Sequence, residues 1–202
     1  MLKININSYS CRIFVQNLNL KVVVSREEQD DHRRMNIRDE TARDGKAISE
    51  VIAAAFQGHP HSQQREGALV EALRADGALH VSLVAVEDGK IVGHVAFSPV
   101  TIDGADEGWF GLGPVAVLPE MQGRGIGRAL IETGLERIKA LGAAGCVLVG
   151  EPEFYQRFGF RADPRWTLSG IPPEYFMALV LPPGQETPAG EVRYHAAFAE
   201  VG

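Results

Sequence analysis

The stretch VAVLPEMQGRGIGR, residues 115–128, decides the fold of this chain. Its first four residues are apolar and mostly branched, which is typical of a strand buried on both faces. Pro119 lacks a backbone N–H and ends that strand. Three glycines follow at alternate positions, and a helical apolar periodicity then runs to a stop at Gly142. The predicted apolar face of this helix is Ile126, Leu130, Ile131, Leu135, Ile138 and Leu141.

The N-terminus of the predicted helix is expected to bind an anion. Its first N–H groups have no partner within the helix, and the helix dipole adds partial positive charge. Gly123, Gly125 and Gly127 leave the backbone of the turn unshielded, while Arg124 and Arg128 add full charges beside it. A phosphate or pyrophosphate is the expected ligand.

The glycine spacing argues against two common phosphate sites. A dinucleotide fingerprint needs glycine at its first, third and sixth positions, but counting from Gly123 the sixth position is Arg128. No acidic strand end follows at the usual distance. An ATP-type loop needs Gly-Lys-Ser/Thr after four intervening residues, and this stretch lacks it. The spacing therefore argues against a nicotinamide site, and it argues more strongly against an ATP site. An ordinary strand-to-helix turn would not need the strand, proline, Gln, three glycines and helix together.

The turn QGRGIG, residues 122–127, behind a Val-x-Val-x-Pro strand, resembles the coenzyme A signature of the GCN5-related N-acetyltransferase (GNAT) family. In that family the turn holds the pyrophosphate of acetyl-CoA, and the preceding strand offers backbone groups to the pantetheine arm. The resemblance implies acetyl-CoA as co-substrate and no metal. It assigns coenzyme binding to Val115, Ala116, Val117, Gln122, Gly123, Arg124, Gly125, Ile126, Gly127 and Arg128.

A second motif, EFYQRFGF at residues 153–160, resembles the short helix and following strand of the same family. The resemblance places Tyr155 where a tyrosine often protonates the departing thiolate of coenzyme A. A phenol with a pKa of about 10 is a competent donor to that sulfur. The alternative is that Tyr155 only packs in the sheet, as expected of Phe154 and Phe158.

The chain before and after the glycine turn fits the same resemblance. Asp88-Gly89 predicts a hairpin between two apolar strands. Glycine and proline at Gly111, Gly113 and Pro114 predict a bulge, which in the family splays this strand from the next one, residues 146–149, and admits pantetheine. A strand at 36–38, helices from Asp44 and at 62–76, and tail strands at 171–181 and 191–198 complete the prediction.

The sequence does not identify a general base. Family members often use a glutamate on the strand before the glycine turn, yet residues 111–118 contain no carboxylate. Glu107, Glu151 and His94 remain open, although a hydrogen-bonded packing role suits His94 better. His59 and His61 flank a proline in a loop, which is too few ligands for a metal.

The composition is that of an ordinary soluble protein, with 45% hydrophobic and 23% charged residues among 202. No apolar run approaches transmembrane length, and no secretory signal is recognisable, so we expect a cytoplasmic protein without a membrane partner. The net charge of −6 disfavours nucleic acid and mildly favours cationic amines. Cys11 and Cys146 lack metal or redox spacing, and Cys146 is expected to be a small buried strand residue.

We expect a single α/β domain over residues 35–202, with a mixed, mostly antiparallel sheet flanked by helices and splayed central strands forming the acetyl-CoA cleft. Residues 1–34 form an extension of uncertain order, either an added strand or hairpin from FVQNLNLKVVV or a poorly ordered segment, and Met35 is an alternative start. The expected reaction moves an acetyl group to an amine of a small molecule or peptide by direct attack. A non-catalytic acyl-CoA sensor is the alternative, the acceptor is not identified, and the sequence allows a homodimer.

Overall fold

The computed structural model describes residues 35–58, 65–181, 184 and 186–201. Predictions for residues 1–34, including Cys11, and for His59 and His61 lie outside these ranges. The described helices and strands, in chain order, are β1 (Asn36–Asp39), α1 (Gly45–Phe56), α2 (Glu66–Ala75), β2 (Val81–Glu87), β3 (Lys90–Ile102), β4 (Ala105–Val117), α3 (Ile126–Ala140), β5 (Gly145–Val149), α4 (Pro152–Tyr155), β6 (Trp166–Thr167), β7 (Phe176–Val180), β8 (Gly190–Arg193) and α5 (Ala197–Val201).

One open sheet organises the described residues, with strand order β1-β2-β3-β4-β5-β7. Neighbouring strands along this path are antiparallel except β4 and β5, which are parallel. Strand β8 pairs with the far end of β3, and β6 pairs with β8. The prediction of a mixed, mostly antiparallel sheet is confirmed.

Helices cover both faces of the sheet because successive strand residues point to opposite sides. On one face, α1 packs its buried Ile48 and Ile52 in one cluster with Val84. On the other face, α3 packs Leu130 in one cluster with Leu83, the strand neighbour of Val84. The apolar periodicities predicted for both helices therefore mark their buried faces.

The hairpin between β2 and β3 turns at Asp88-Gly89, as predicted. Both residues have positive φ, 50° for Asp88 and 76° for Gly89. A two-residue turn with this pair of angles matches the twist of an antiparallel hairpin, and Asn or Asp followed by Gly adopts it most readily. The turn sets the register in which Glu87 pairs with Lys90.

Several predicted boundaries were wrong. Helix α3 ends at Ala140, so Leu141 leaves the apolar face and is 60% exposed. Helix α2 covers Glu66–Ala75 and Arg65 before it is not helical, whereas the predicted start at Ser62 lies outside the described residues. The strand expected after the second motif is a single bridge from Arg161 to Ala178, because a turn at Pro164 follows at once.

The two tail strands are also shorter than predicted. The first covers only Phe176–Val180. The second ends at Arg193, and the rest of its predicted length turns into helix α5. The physical reason is that Phe198 folds back onto the Tyr194 ring, with 4.8 Å between the ring centroids, which an extended strand could not achieve.

Candidate active site

The central strands part where the glycine and proline bulge was predicted. Strands β4 and β5 pair over only three residues of each, and the last β4 residue in this pairing is Gly111. Beyond it the β3–β4 register shifts between Val95 and Phe97, opposite the segment that contains Gly113 and Pro114. The parting of β4 and β5 leaves an open cleft beside the glycine turn.

Two cavities open from this parting and meet at Val115, Phe154 and Tyr155. We call the first, of about 530 Å³, the turn cavity. Its other lining residues are Val117, Met121, Gln122, Gly123, Gly125, Ile126, Gly127, Arg128 and Arg157. We call the second, of about 750 Å³, the cleft cavity. Its other lining residues are Phe56, Leu112, Gly113, Pro114, Val149, Gly150, Glu151, Ile171, Pro172 and Tyr175.

The turn cavity is lined by backbone that can bind an anion. Gly123 and Gly125 have φ of 75° and 81°, the left-handed region that favours glycine. The N–H of Ala129 bonds the carbonyl oxygen of Gly125 at 3.0 Å and is the first to donate along helix α3. The N–H groups of residues 126–128 precede it at the positive end of the helix, so they are available to a phosphate.

The basic side chains around the turn are arranged differently from the expectation. The Arg124 guanidinium bonds both carboxylate oxygens of Glu87, at 2.6 and 3.1 Å, and it does not line the turn cavity. Arg128 does line it, and its guanidinium pairs with the exposed Glu132 at 2.8 Å, a weak surface pair. Arg157 also lines the cavity, stacked 4.9 Å over the Phe154 ring. Sequence reasoning missed Arg157 because it belongs to the second motif.

The backbone of β4 turns two N–H groups toward the parting. The N–H of Leu118 donates to the carbonyl oxygen of Val92 on β3, at 3.0 Å. Because N–H groups alternate sides along a strand, the N–H of Ala116 points to β3 as well, and those of Val115 and Val117 point away from it. The side chain of Ala116 is buried in the cluster with helix α1. Val115 and Val117 therefore present their N–H groups to the cleft.

Tyr155 sits where the two cavities join and is held there by aromatic packing. Its ring contacts Phe154 edge-on, with 4.9 Å between centroids, and it lies 6.3 Å from the Phe160 ring. A Cβ atom at Gly150 would overlap the Tyr155 ring, so the glycine makes room for it. Burial raises the pKa of the Tyr155 hydroxyl to about 12. At neutral pH Tyr155 is therefore a proton donor and not a base.

The structure separates the three open candidates for the base. Glu151 lines the cleft cavity, whereas Glu107 is exposed at the start of β4 and lines neither cavity. His94 is fully buried, and its Nε2 lies 2.8 Å from the hydroxyl of Ser82. The Ser82 hydroxyl donates to Glu40, so it accepts from a protonated Nε2 of His94. His94 therefore has the hydrogen-bonded packing role that the sequence favoured over a role as general base.

Burial also decides the protonation state of His94 and of Cys146, which lie inside the sheet. Desolvation lowers the pKa of His94 to about 4 and outweighs the attraction of the Glu40 charge. Desolvation raises the pKa of the Cys146 thiol, which is fully buried on β5 as predicted. Neither group is available as a nucleophile or base at neutral pH.

Two features are absent from the described residues. No group of three or more His, Cys, Asp and Glu residues in them could hold a metal ion. No helix in them is both long enough and apolar enough to cross a membrane.

An open sheet whose central parallel strands part beside a glycine turn defines the class of acyl-CoA-dependent acyltransferases. A family model described as an acetyltransferase (GNAT) domain matches residues 78–162. The uncharacterized N-acetyltransferase YhbS of Escherichia coli K12 is 39% identical over 127 residues, which are 62% of this chain and 73% of YhbS. The E. coli protein YjhQ, also an N-acetyltransferase by name, is 35% identical over 133 residues, 64% of this chain and 70% of YjhQ.

Solved structures agree with these matches. A GNAT acetyltransferase from Brucella melitensis, in complex with acetyl-CoA, is 50% identical with a TM-score of 0.74, covering 83% of this chain and 99% of that one. YhbS from E. coli, in complex with CoA, is 34% identical with a TM-score of 0.75, covering 84% and 94%. The chain therefore belongs to the GNAT family and is an acetyl-CoA-dependent acyltransferase. The predictions of family, fold class and co-substrate are confirmed.

Proposed function

We propose that the protein transfers the acetyl group of acetyl-CoA to a primary amine of a small molecule or peptide, by direct attack of the amine. One observation carries the proposal: the turn cavity and the cleft cavity meet at Tyr155, beside the N–H groups of Val115 and Val117. A coenzyme anchored at the turn can therefore bring its thioester to the place where an acceptor enters. The related structures with acetyl-CoA and CoA support this arrangement.

The coenzyme would be held mainly by backbone groups. The N–H groups of residues 123–128 would bind its pyrophosphate, and the guanidinium groups of Arg128 and Arg157 would add charge at the same cavity. The pantetheine arm would run along Val115–Val117, on the side where β5 no longer pairs with β4. Arg124 would take part only through its backbone. Ala116, predicted from the sequence as a coenzyme residue, would not contact the coenzyme, because its backbone pairs with β3 and its side chain packs against α1.

The chemical step then follows from the positions of three groups. The amine nitrogen attacks the thioester carbon and forms the C–N bond, while the carbonyl oxygen becomes an oxyanion. The N–H groups of Val115 and Val117 stabilise that oxyanion, a contribution of a few kcal/mol. The C–S bond breaks, and Tyr155 donates its proton to the departing sulfur. Glu151, directly or through water, accepts the proton that the amine loses, because it is the open candidate that lines the cleft cavity.

A domain boundary at residue 35 and a cytoplasmic location are proposals that rest on the sequence alone, and the sequence allows a homodimer.

The test is coenzyme A release from acetyl-CoA with a panel of amines, for the intact protein and for Tyr155→Phe. The variant should bind acetyl-CoA normally and lose about 10²-fold or more of its amine-stimulated release, the usual size of an acid–base contribution. Tyr175→Phe removes the hydroxyl of another tyrosine that lines the cleft cavity and is the control, with release expected to be retained. Equal rates for Tyr155→Phe and the intact protein would contradict the acid role, and acetyl-CoA binding without release for any amine would favour the sensor alternative.

A further inference from the structure

The cleft cavity is apolar in a way that the acetyl-CoA site does not require. Its walls come from the end of α1, from β4, from the end of β5 and from the segment 171–175 before β7. The side chains that face it beyond the Tyr155 position are mostly aliphatic or aromatic: Phe56, Pro114, Val149, Ile171, Pro172 and Tyr175. A cavity of this kind binds ligands chiefly by burying their apolar surface.

Two of these side chains are exposed where large apolar groups are ordinarily covered. Val149 is 44% exposed and Tyr175 is 37% exposed. Met35 and Leu141 are the only other large hydrophobic side chains exposed to this degree in the part of the chain that the structure describes, and neither lines this cavity. Apolar side chains left open together beside a cavity mark a ligand site. Their position indicates that the acceptor, not the coenzyme pyrophosphate, covers them.

The charges of the cavity restrict the ligand further. Glu151 is the single carboxylate among the described lining residues, and none of those residues is Lys, Arg or His. A polyamine or aminoglycoside would bring several ammonium groups into a space that can pair one of them, and each unpaired cation costs desolvation energy. A free amino acid would bring a carboxylate, and no basic side chain among the described lining residues would receive it. Both classes are therefore disfavoured by the same set of residues.

We propose that the acceptor is a monoamine: a primary amine carried on an aromatic or branched aliphatic body, without a carboxylate. This inference rests on the proposed acetyl transfer and names its substrate class. Glu151 receives the amine end, and Phe56 and Tyr175 form walls for the apolar body. Two hydrogen bonds fix the backbone of Tyr175 beside the cavity. Its carbonyl oxygen accepts from the Gly150 N–H at 3.0 Å, and its N–H donates to the carbonyl oxygen of Pro172 at 3.1 Å.

The experiment compares kcat/KM for 2-phenylethylamine, putrescine, spermidine and phenylalanine with saturating acetyl-CoA. Phenylalanine adds only a carboxylate to 2-phenylethylamine, so the pair isolates that charge. We expect 2-phenylethylamine to exceed each of the others by about tenfold or more, the discrimination that an apolar pocket commonly achieves. Tyr175→Ala and Phe56→Ala should each raise KM for 2-phenylethylamine about tenfold and leave KM for putrescine within about twofold. Leu141→Gln changes an exposed apolar residue that does not line the cavity and should alter neither value.

A binding measurement separates this inference from the proposed function. Calorimetry with the CoA-loaded protein reports which amine binds, whether or not any is acetylated. Preferred binding of 2-phenylethylamine, weakened by Tyr175→Ala, with no acetylation of any amine, would overturn the transferase proposal and keep the binding class. Preferred binding or turnover of spermidine, putrescine or phenylalanine would overturn the class, and so would a preference that neither Tyr175→Ala nor Phe56→Ala changes.

Discussion

The turn cavity and the cleft cavity share Tyr155 but are built in different ways. Most of the turn cavity comes from one continuous stretch, residues 115–128, and it offers backbone N–H groups that no substitution other than proline removes. The cleft cavity is assembled from side chains between Phe56 and Tyr175 that only the folded sheet brings together. With the cavities assigned as proposed, coenzyme binding depends on the local shape of the chain, whereas acceptor choice depends on a few replaceable side chains.

The largest expected effect on acetyl-CoA binding comes from distorting the turn without changing any charged residue. Gly125→Val places a branched residue at a φ of 81°, which is strained, and directs a side chain into the turn cavity. Loss of several charge-assisted hydrogen bonds should weaken acetyl-CoA binding by about 100-fold or more. Calorimetric titration measures this affinity.

A matched control for Gly125→Val exists in the hairpin between β3 and β4. Gly104→Val has a comparable φ of 84° and no neighbour near the added side chain. It should lose a similar free energy of unfolding and keep its acetyl-CoA affinity. Equal affinity losses in the two variants would mean that general destabilisation, not the turn, explains the effect.

Arg124 and Arg128 provide the next comparison, because they stand on the same turn with different partners. Glu87 is only 5% exposed, so Arg124→Gln leaves a buried carboxylate without its ion pair. We expect a loss of about 2 kcal/mol in the free energy of unfolding, with a small change in acetyl-CoA affinity. Arg128→Gln should do the reverse, lowering affinity by severalfold in low salt with little change in unfolding. A larger affinity loss for Arg124→Gln would place its charge at the coenzyme after all.

Gly150→Ala should separate catalysis from binding. The added Cβ atom overlaps the Tyr155 ring, which must then move from the junction of the cavities. We expect kcat to fall about tenfold while acetyl-CoA affinity is retained, since misplacing a catalytic group affects the chemical step first. Gly67→Ala on α2 meets its nearest atoms at 3.9 Å and is the control, with unchanged kcat. An unchanged kcat in Gly150→Ala would show that the position of Tyr155 is not critical.

The smallest effect concerns His94, which lines neither cavity. The pKa of His94 is about 4 in the folded protein and 6.5 when unperturbed, so the unfolded chain binds the extra proton between these values. Stability from this group is present above pH 6.5 and is lost as pH falls toward 4, and it should be about 1 kcal/mol lower at pH 5.5 than at pH 7. Arg74 and Arg38 lower the pKa values of Glu40 and Asp44. The stability that these two carboxylates contribute is therefore lost at lower pH than the His94 contribution.

Denaturant unfolding at pH 7 and pH 5.5 measures the His94 effect. His94→Gln should flatten the difference in stability between the two pH values. The same variant should leave the pH dependence of acetyl transfer unchanged, because His94 does not face the cleft. A shifted pH–rate profile would instead identify His94 as part of the proton path.

The part of the site that sequence could predict is the part that is contiguous in sequence. The strand, the turn and the helix between residues 115 and 142 could be predicted, because local periodicity and glycine spacing determine them. The direction of the Arg124 side chain was not readable, since its partner Glu87 lies 37 positions away at the end of a hairpin. The burial of His94 depends on strand register, which one residue of slip would reverse.

The cleft cavity was not predictable either, because its residues lie far apart in the sequence. Phe56, Val149 and Tyr175 carry no motif, and each looks like an ordinary core residue in its own segment. Their common cavity exists only because β5 parts from β4 and the segment before β7 returns to that edge. The C-terminal helix α5 was missed because its stability comes from the packing of Phe198 on Tyr194, a contact that periodicity does not reveal.

The most direct test of the account is a crystal structure of the protein with acetyl-CoA. The account predicts the pyrophosphate on the N–H groups of residues 123–128, the thioester carbonyl facing the N–H groups of Val115 and Val117, and the sulfur within hydrogen-bond reach of the Tyr155 hydroxyl. A coenzyme whose sulfur lies away from Tyr155, or whose pyrophosphate binds outside the turn cavity, would contradict it.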